Sequence, residues 1–395
     1  MGYSPPLLTA AGYSVKEIHP GTGQYAGHLQ FKRRNLDQVG NWFILMRISP
    51  LPGAPGGAVM AKRRTPSRIL GLDLGSYAVK AIEMTRSGNE LFVSGYAYEP
   101  VFDSSKYSEA VWAAVRSGGL DTDCVAIGVA GQGTFAKVLQ STIVAGIELE
   151  RTFKKETSTI TQINLETAPF AFQPFEPPVD GSATALVAAT PLDVLNERLG
   201  ILKEAGIVPD FVEPEVTALA NAFEVINRDD YFPDAVDGAI LVDVGAEKTL
   251  FIGTGNNSHL FREFPFGGNA LTEMVAHRLD INLNDAERVK CDPGGKLEVV
   301  RDAMYPGIEQ LGAEMRTVVE YYKTIGGSEP GLMLISGGLA KFPDAIEVLG
   351  RLANIRTLAF DSFGKVAAES ADHDFFEAYA HVFPLAFGLA CRVGV

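Results

Sequence analysis

The chain has 395 residues, 46% of them hydrophobic and 21% charged, which is enough apolar material for a buried core and too much for a disordered polymer. At about 150 residues per domain the length implies two or three domains. A formal net charge of −14 repels phosphate backbones and argues against nucleic acid as the main partner, and no apolar run approaches the ~18 residues needed to span a bilayer; Trp42–Ile48 already contains Arg47.

In chain order, residues 1–64 come first, with eight basic and two acidic side chains, scattered Gly and Pro, and no sustained period of 2 or 3.6. The segment lacks the basic, apolar, small-residue order of a signal peptide. We read Met60 as the native start and residues 1–59 as a non-native or disordered extension. The rival reading is a basic arm that touches anionic lipid, with Trp42 and Phe43 at the interface.

Strands follow at 69–74, 77–84 and 90–99. The first two form the hairpin Ile69-Leu-Gly-Leu-Asp73-Leu-Gly75-Ser-Tyr-Ala-Val-Lys80. The next stretch, about 100–185, with a strand Thr184–Ala189 after it, reads as a small α/β module with strands Val125–Ala130 and Ala136–Gln140. It includes a helix from Glu148 to Thr161 and a Pro-rich loop or edge strand over Pro169–Pro178. An amphipathic helix is expected over Pro191–Ala205.

The hairpin pattern then returns as Ala239-Ile-Leu-Val-Asp243-Val-Gly245-Ala-Glu-Lys-Thr249. Each copy carries a carboxylate near the strand end and a Gly-containing turn whose backbone N–H groups suit phosphate oxygens. Asp73 and Asp243 could hold a hydrated Mg²⁺, which accepts few protein ligands, and Ser76 adds a hydroxyl donor. Two such turns across a cleft would clamp a triphosphate from both sides. Phe264-Pro-Phe-Gly267-Gly268-Asn269 leads into a helix to Leu279. A short helix, Asn284–Lys290, places Glu287 and Lys290 on one face. Finally Gly331-Leu-Met-Leu-Ile-Ser336-Gly337-Gly338 reads as a buried strand and a turn that a phosphate or flat ring could approach, before a helix near Pro343–Arg351.

Cys124, Cys291 and Cys391 are far apart and odd in number, so neither a disulfide framework nor a zinc site of paired cysteines is expected, and a reducing compartment fits best.

The order Asp-Leu-Gly-Ser, Asp-Val-Gly-Ala, Phe-Gly-Gly-Asn, Glu-x-x-Lys, Ser-Gly-Gly resembles the actin-like ATPase (FtsA-like) superfamily. Within it the chain resembles the PilM family of type IV pilus assembly, from about Arg68 to the end. The likeness includes Arg262-Glu-Phe-Pro-Phe-Gly-Gly-Asn-Ala-Leu-Thr and Tyr379-Ala-His-Val-Phe-Pro-Leu-Ala-Phe-Gly-Leu-Ala. It implies an α/β, two-lobed actin-like (ribonuclease H-like) fold with a small inserted α/β module in the first lobe. Lobe I would span 66–215, with the module at about 100–185, and lobe II 216–395.

The resemblance also implies ATP and Mg²⁺ as cofactors. Asp73, Gly75, Ser76 and Tyr77, with Lys80 behind them, would form one phosphate turn. Asp243, Gly245, Ala246 and Thr249 would form the other. Gly267, Gly268 and Asn269 would approach ribose and phosphates, Glu287 and Lys290 the ribose or adenine edge, and Gly337 and Gly338 the adenosine. Glu213 or Glu215 would position an attacking water. Bulky Tyr77 departs from the small residue usual in relatives, and His381 and Pro384 interrupt a terminal segment that is usually a smooth apolar helix.

The implied function is an ATP-binding scaffold at the inner face of the membrane, with slow or absent turnover. It would recruit a PilN-like bitopic inner-membrane protein through that protein's short N-terminal tail, and reach the membrane only through partners. The alternative is a small-molecule kinase of the same superfamily, for which Asp210 is the available base. A membrane-tethered filament is a third reading and would call for a C-terminal amphipathic helix.

Overall fold

The computed structural model describes residues 66–87, 90–101, 103–131, 133–142, 148–175, 181–227, 232–235, 238–255, 258–342, 344–363 and 373–393. The reading of residues 1–59 lies outside this set.

The first half of the chain runs β1 (Arg68–Leu74), β2 (Ala78–Ser87), β3 (Glu90–Pro100), α1 (Tyr107–Ser117), β4 (Val125–Val129), β5 (Phe135–Thr142), α2 (Glu148–Thr161), β6 (Phe170–Pro174), β7 (Ser182–Ala189), α3 (Leu192–Glu204), β8 (Phe211–Pro214) and α4 (Glu215–Asn227). The second half runs β9 (Ala239–Val244), β10 (Thr249–Gly255), β11 (Ser258–Phe264), α5 (Gly268–Leu279), α6 (Leu283–Cys291), α7 (Leu297–Thr324), β12 (Leu332–Gly337), α8 (Ala345–Ala353), β13 (Thr357–Ala359), α9 (His373–Tyr379) and α10 (Pro384–Ala390).

Two five-stranded sheets share one plan, β3-β2-β1-β4-β8 and β11-β10-β9-β12-β13. In each, the central strand pairs antiparallel with the next strand in sequence and parallel with a later one. Strands covered on both faces read as continuous apolar runs, and β4 and β12 are buried at every position. The hairpin registers match: Leu74 opposes Val79 and Val244 opposes Thr249, so Gly75–Ala78 and Gly245–Lys248 are equivalent turns.

A third sheet, β5-β7-β6, packs with α2 around the fully buried Phe153. The strand Val125–Ala130 assigned to this module by sequence belongs instead to the first sheet, as β4 between β1 and β8. Its unbroken apolar run needs cover on both faces, whereas module strand β5 alternates in burial. The Pro-rich stretch enters as edge strand β6, where a missing N–H costs no ladder bond inside the sheet.

The sequence reading places no element over Leu297–Thr324, where helix α7 runs through Pro306 and Gly307. Its buried stripe, Val300, Met304, Ile308, Leu311, Met315, Val318 and Tyr322, supplies more burial against the second sheet than the lost hydrogen bond removes.

One hydrophobic core runs from Ile69 and Ile82 of the first sheet, through α4 and α10, to Leu241, Ile252 and Leu334 of the second. Helices α4 and α10 cross in backbone contact: a Cβ on Gly388 would lie 1.8 Å from the Ala218 carbonyl oxygen. Pro384, which interrupts the expected apolar segment, is the first residue of α10, where its fixed φ and missing N–H are tolerated. Among the described residues no helix is long and apolar enough to cross a membrane.

Candidate functional site

The first turn is held through its carbonyls. Arg198 of α3 donates to the Leu74 oxygen, the Tyr107 hydroxyl donates to Gly75 at 2.9 Å, and the Val101 amide donates to Tyr77 at 2.8 Å. With these acceptors engaged by the protein, what the turn offers a ligand is donors, which suits an anion. Asp73, 6% exposed, faces Lys80 in register, and Lys80 Nζ lies 2.7 Å from Asp73 Oδ2.

The second turn is built on the start of α5. The Gly268 amide donates to the Gly245 oxygen at 2.9 Å, and the Asn269 amide to the Ala246 oxygen at 2.7 Å. Gly267 sits so close that a Cβ would lie 2.5 Å from the Gly245 oxygen. The structure therefore brings Gly267, Gly268 and Asn269 onto the second turn as its brace. The buried Thr249 hydroxyl donates to the Phe266 carbonyl at 2.7 Å, tying the hairpin to the same segment. From the strand beside it, Ser336 donates to Asp243 Oδ1 at 2.7 Å. Gly337 follows at φ +89°, where a Cβ would meet the Val244 oxygen at 2.2 Å, so this position excludes a side chain twice over.

The two turns share one electrostatic field. Burial pushes Asp243 up to about 6, against the Ser336 hydrogen bond and Lys80, while Asp73 and Glu215 push in the same direction as burial. Burial also raises Asp73, with Lys80 opposing. Burial works to lower Lys80, but Asp73, Asp243 and Glu215 together outweigh it and hold Lys80 above its ordinary value. Three carboxylates, Asp73, Asp243 and Glu215, thus converge on Lys80.

The two glutamates offered by the sequence have different surroundings. Glu213, the third residue of β8, is 0% exposed and saturated: Arg392 Nε lies 2.7 Å from Oε2, and Thr217 and Asn221 donate to Oε1 at 2.9 and 2.7 Å. Burial raises its pKa despite Arg392. Glu215, the first residue of α4, joins the cleft group. Burial would raise it, but Lys248, 3.0 Å away, and Arg198 hold it below the ordinary carboxylate range.

The far corner is formed by α6. Lys290 Nζ is 2.6 Å from Glu287, and it donates to the Gly268 carbonyl at 3.0 Å and to the Thr272 hydroxyl at 2.7 Å. Thr272 in turn donates to Glu287. Cys291 donates to Glu287 at 3.2 Å, and Tyr77 of the first turn lies near enough to both that, after burial, they push its pKa up. Lys341, in the turn after Gly337 and Gly338, sits 3.5 Å over the Tyr379 ring and 5.9 Å from that of Tyr98, and desolvation lowers its pKa to about 8.

Sequence reasoning missed Lys248, Arg198, Tyr107, Thr272 and Lys341. Lys248 lies inside the repeated motif, and its signal was that it is the charged counterpart of Ala78. The others carry no local signal, because only the fold brings them to the turns.

Among the described residues no group of three or more His, Cys, Asp or Glu side chains could hold a metal ion by itself. Mg²⁺ keeps most of its waters and calls for only one or two carboxylates, so it needs no such group. Asp73 and Asp243 are the pair available, and the raised pKa of Asp243 marks a buried carboxylate that a cation would neutralise.

The family described as "Type IV pilus assembly protein PilM" matches residues 71–393. The chain belongs to that family. Site residues from Asp73 to Lys341 all lie inside the matched span. Among solved structures, a PilM–PilN type IV pilus biogenesis complex superposes with TM-score 0.70 at 20% identity, over 82% of this chain and 98% of that one. The ethanolamine utilization protein EutJ from Carboxydothermus hydrogenoformans gives TM-score 0.49 at 14% identity, over 83% and 90% of the two chains. The paired sheets and the PilM match identify the two-lobed actin-like α/β fold, with the β5-β7-β6 module inserted in the first lobe.

Proposed function

We propose that this PilM-family chain is an ATP-binding scaffold of a type IV pilus assembly platform. In this reading it sits in the cytoplasm, against the inner membrane, and recruits a PilN-like bitopic protein by the short N-terminal tail of that protein. The observation that carries the nucleotide reading is the pair of register-matched hairpins. Each presents an Asp beside a Gly turn, and the two are close enough that Asp73 helps to raise Asp243 and that Lys80 of the first hairpin feels both carboxylates. The partner reading rests on family membership and on the likeness to a PilM solved with PilN.

In this proposal Asp73 and Asp243 hold hydrated Mg²⁺, which supplies charge neutralisation between the phosphates. Gly75, Ser76, Tyr77 and Lys80 serve one side of the phosphate chain, and Gly245, Ala246 and Thr249 the other, Thr249 from behind by bracing the turn. Gly267, Gly268 and Asn269 brace the second turn, Glu287 and Lys290 border the ribose, and Gly337 and Gly338 leave room for the nucleoside. Nucleotide would stabilise one arrangement of the lobes, and so one partner-binding state.

The kinase alternative loses its base: Asp210 accepts from the Val125 amide at 3.1 Å at the start of β4, the end of that strand away from the phosphate turns.

The test is calorimetric titration of the full chain with Mg·ATP, beside Asp73→Ala and Asp243→Ala. Binding by the unsubstituted chain that both variants lose supports the clamp, and a PilN-like tail peptide is then titrated with and without ATP. No binding of Mg·ATP would leave a purely structural adaptor as the better reading.

A further inference from the structure

We infer that Lys248 restrains hydrolysis at this site by occupying Glu215, taken as the carboxylate that orients an attacking water. The inference rests on the nucleotide reading above.

The geometry is asymmetric where the fold is symmetric. The two turns are equivalent in register, and their last residues are Ala78 and Lys248. Ala78 is buried and neutral. In the first hairpin the cation, Lys80, pairs with the carboxylate directly opposite it, Asp73. In the second, Leu250 stands opposite Asp243, and the cation of the turn reaches out of its own hairpin to Glu215 at 3.0 Å, with Glu263 of β11 at 4.0 Å.

Glu215 cannot readily turn away. It is 6% exposed, and its stem lies against β4 so closely that a Cβ on Gly128 would come within 2.8 Å of Glu215 Cγ. Glu213 is sealed by Arg392, and the nucleotide reading gives Asp73 and Asp243 to magnesium, which leaves Glu215 to accept a proton from water. In hydrolysis the water oxygen bonds to the terminal phosphorus, the bond to the ADP oxygen breaks with its electron pair leaving on ADP, and a water proton passes to the base. A carboxylate already accepting from an ammonium, and held close to it, is a weaker acceptor for that proton and less free to align the water. Lys248 is thus a positioning residue, and the ion pair favours a site that holds nucleotide over one that consumes it.

The opposite role is also chemically available: an ammonium beside a terminal phosphate can stabilise the transition state and speed the reaction. The experiment separates the two. Single-turnover hydrolysis of Mg·ATP is measured for the full chain and for Lys248→Met, Lys248→Arg, Glu215→Gln and the Lys248→Met/Glu215→Gln double variant. Nucleotide affinity is read independently by fluorescence titration. We expect Lys248→Met to hydrolyse at least about tenfold faster, below the ~10²–10⁴ that a fully engaged base contributes. Lys248→Arg, which keeps a cation on Glu215, should show much less of that gain than Lys248→Met, and the double variant should lose it. Lys248→Gln gives the same readout should the methionine variant not fold.

A Lys248→Met chain that binds Mg·ATP but hydrolyses it no faster, or more slowly, overturns the inference alone. Absence of Mg·ATP binding by the unsubstituted chain overturns the nucleotide reading, and this inference with it. A gain that persists in the double variant also refutes it, since the rate would not pass through Glu215.

Discussion

The buried pair between Glu213 and Arg392 gives the sharpest energetic prediction. Arg392 is 4% exposed and follows α10, while Glu213 is fully buried on β8, so the contact fastens the end of the chain to the first sheet. In Arg392→Met, Glu213 keeps the Thr217 and Asn221 hydrogen bonds on Oε1, but Oε2 loses its charged donor. A hydrogen bond to a charged group is worth about 1.5–3 kcal/mol, and the unbalanced burial of the carboxylate brings the expected cost to about 3–5 kcal/mol. Adding Glu213→Leu to Arg392→Met should recover most of it, because the buried charge is gone. The sign with pH is also fixed. Burial already raises Glu213 above its unfolded value, and losing Arg392 raises it further. A carboxyl with a raised folded pKa contributes stability that is full below its unfolded pKa and lost as pH rises through the folded one. The deficit of Arg392→Met should therefore shrink as pH falls from 8 to 5. Urea unfolding followed by circular dichroism at several pH values measures all three quantities. A cost under about 1 kcal/mol, or a deficit that grows on acidification, would refute the reasoning.

Three further outcomes are expected. With Asp243 titrating at about 6, Mg²⁺ affinity in the presence of nucleotide should be flat above pH 7 and fall up to about tenfold per pH unit below 6, a slope that Asp243→Asn removes; magnesium titrations at pH 5.5 and 7.5 check it. Gly388→Ala forces a Cβ onto the Ala218 carbonyl and should cost about 3 kcal/mol or more, whereas Gly200→Ala, in α3 with open space around it, should be neutral or stabilising by up to ~1 kcal/mol; denaturation midpoints compare them. Cys291 is the most exposed cysteine residue of the three, yet desolvation around its sulfur, with the neighbouring Glu287 carboxylate, raises its pKa to about 11. Iodoacetamide should thus modify it more slowly than a free thiol at pH 7.5, and faster in Glu287→Gln, as followed by mass spectrometry.

Much of the fold was legible where one strand or helix carries its own pattern. The helix Glu148–Thr161 has the same ends in the structure, and both Asp-x-Gly hairpins sit where the repeated motif put them. The errors have physical causes. The sequence reading has no element over α7, whose buried stripe continues on either side of an interior Pro306 and Gly307. Strand β4 was assigned to the neighbouring module because a continuous apolar run shows that both faces are covered but not by what. The choice between Glu213 and Glu215 could not be made locally. They flank the strand-to-helix step at Pro214, and what distinguishes them is Arg392, 179 residues away from Glu213, on one side and Lys248 on the other.

The placement of the inserted module bears on how its role can be probed. Strand β11 is the outer edge of the second sheet, and β5 of the module lies against it, with Phe175 packed on His259 at 5.4 Å between ring centroids. The module is therefore also a guard for an open row of strand amides and carbonyls. Excising it to ask whether a partner binds there would bare that row to pairing between copies, and loss of binding would then be confounded with self-association. Single charge reversals at exposed module positions, such as Glu150 or Lys155, leave the guard in place and ask the question cleanly.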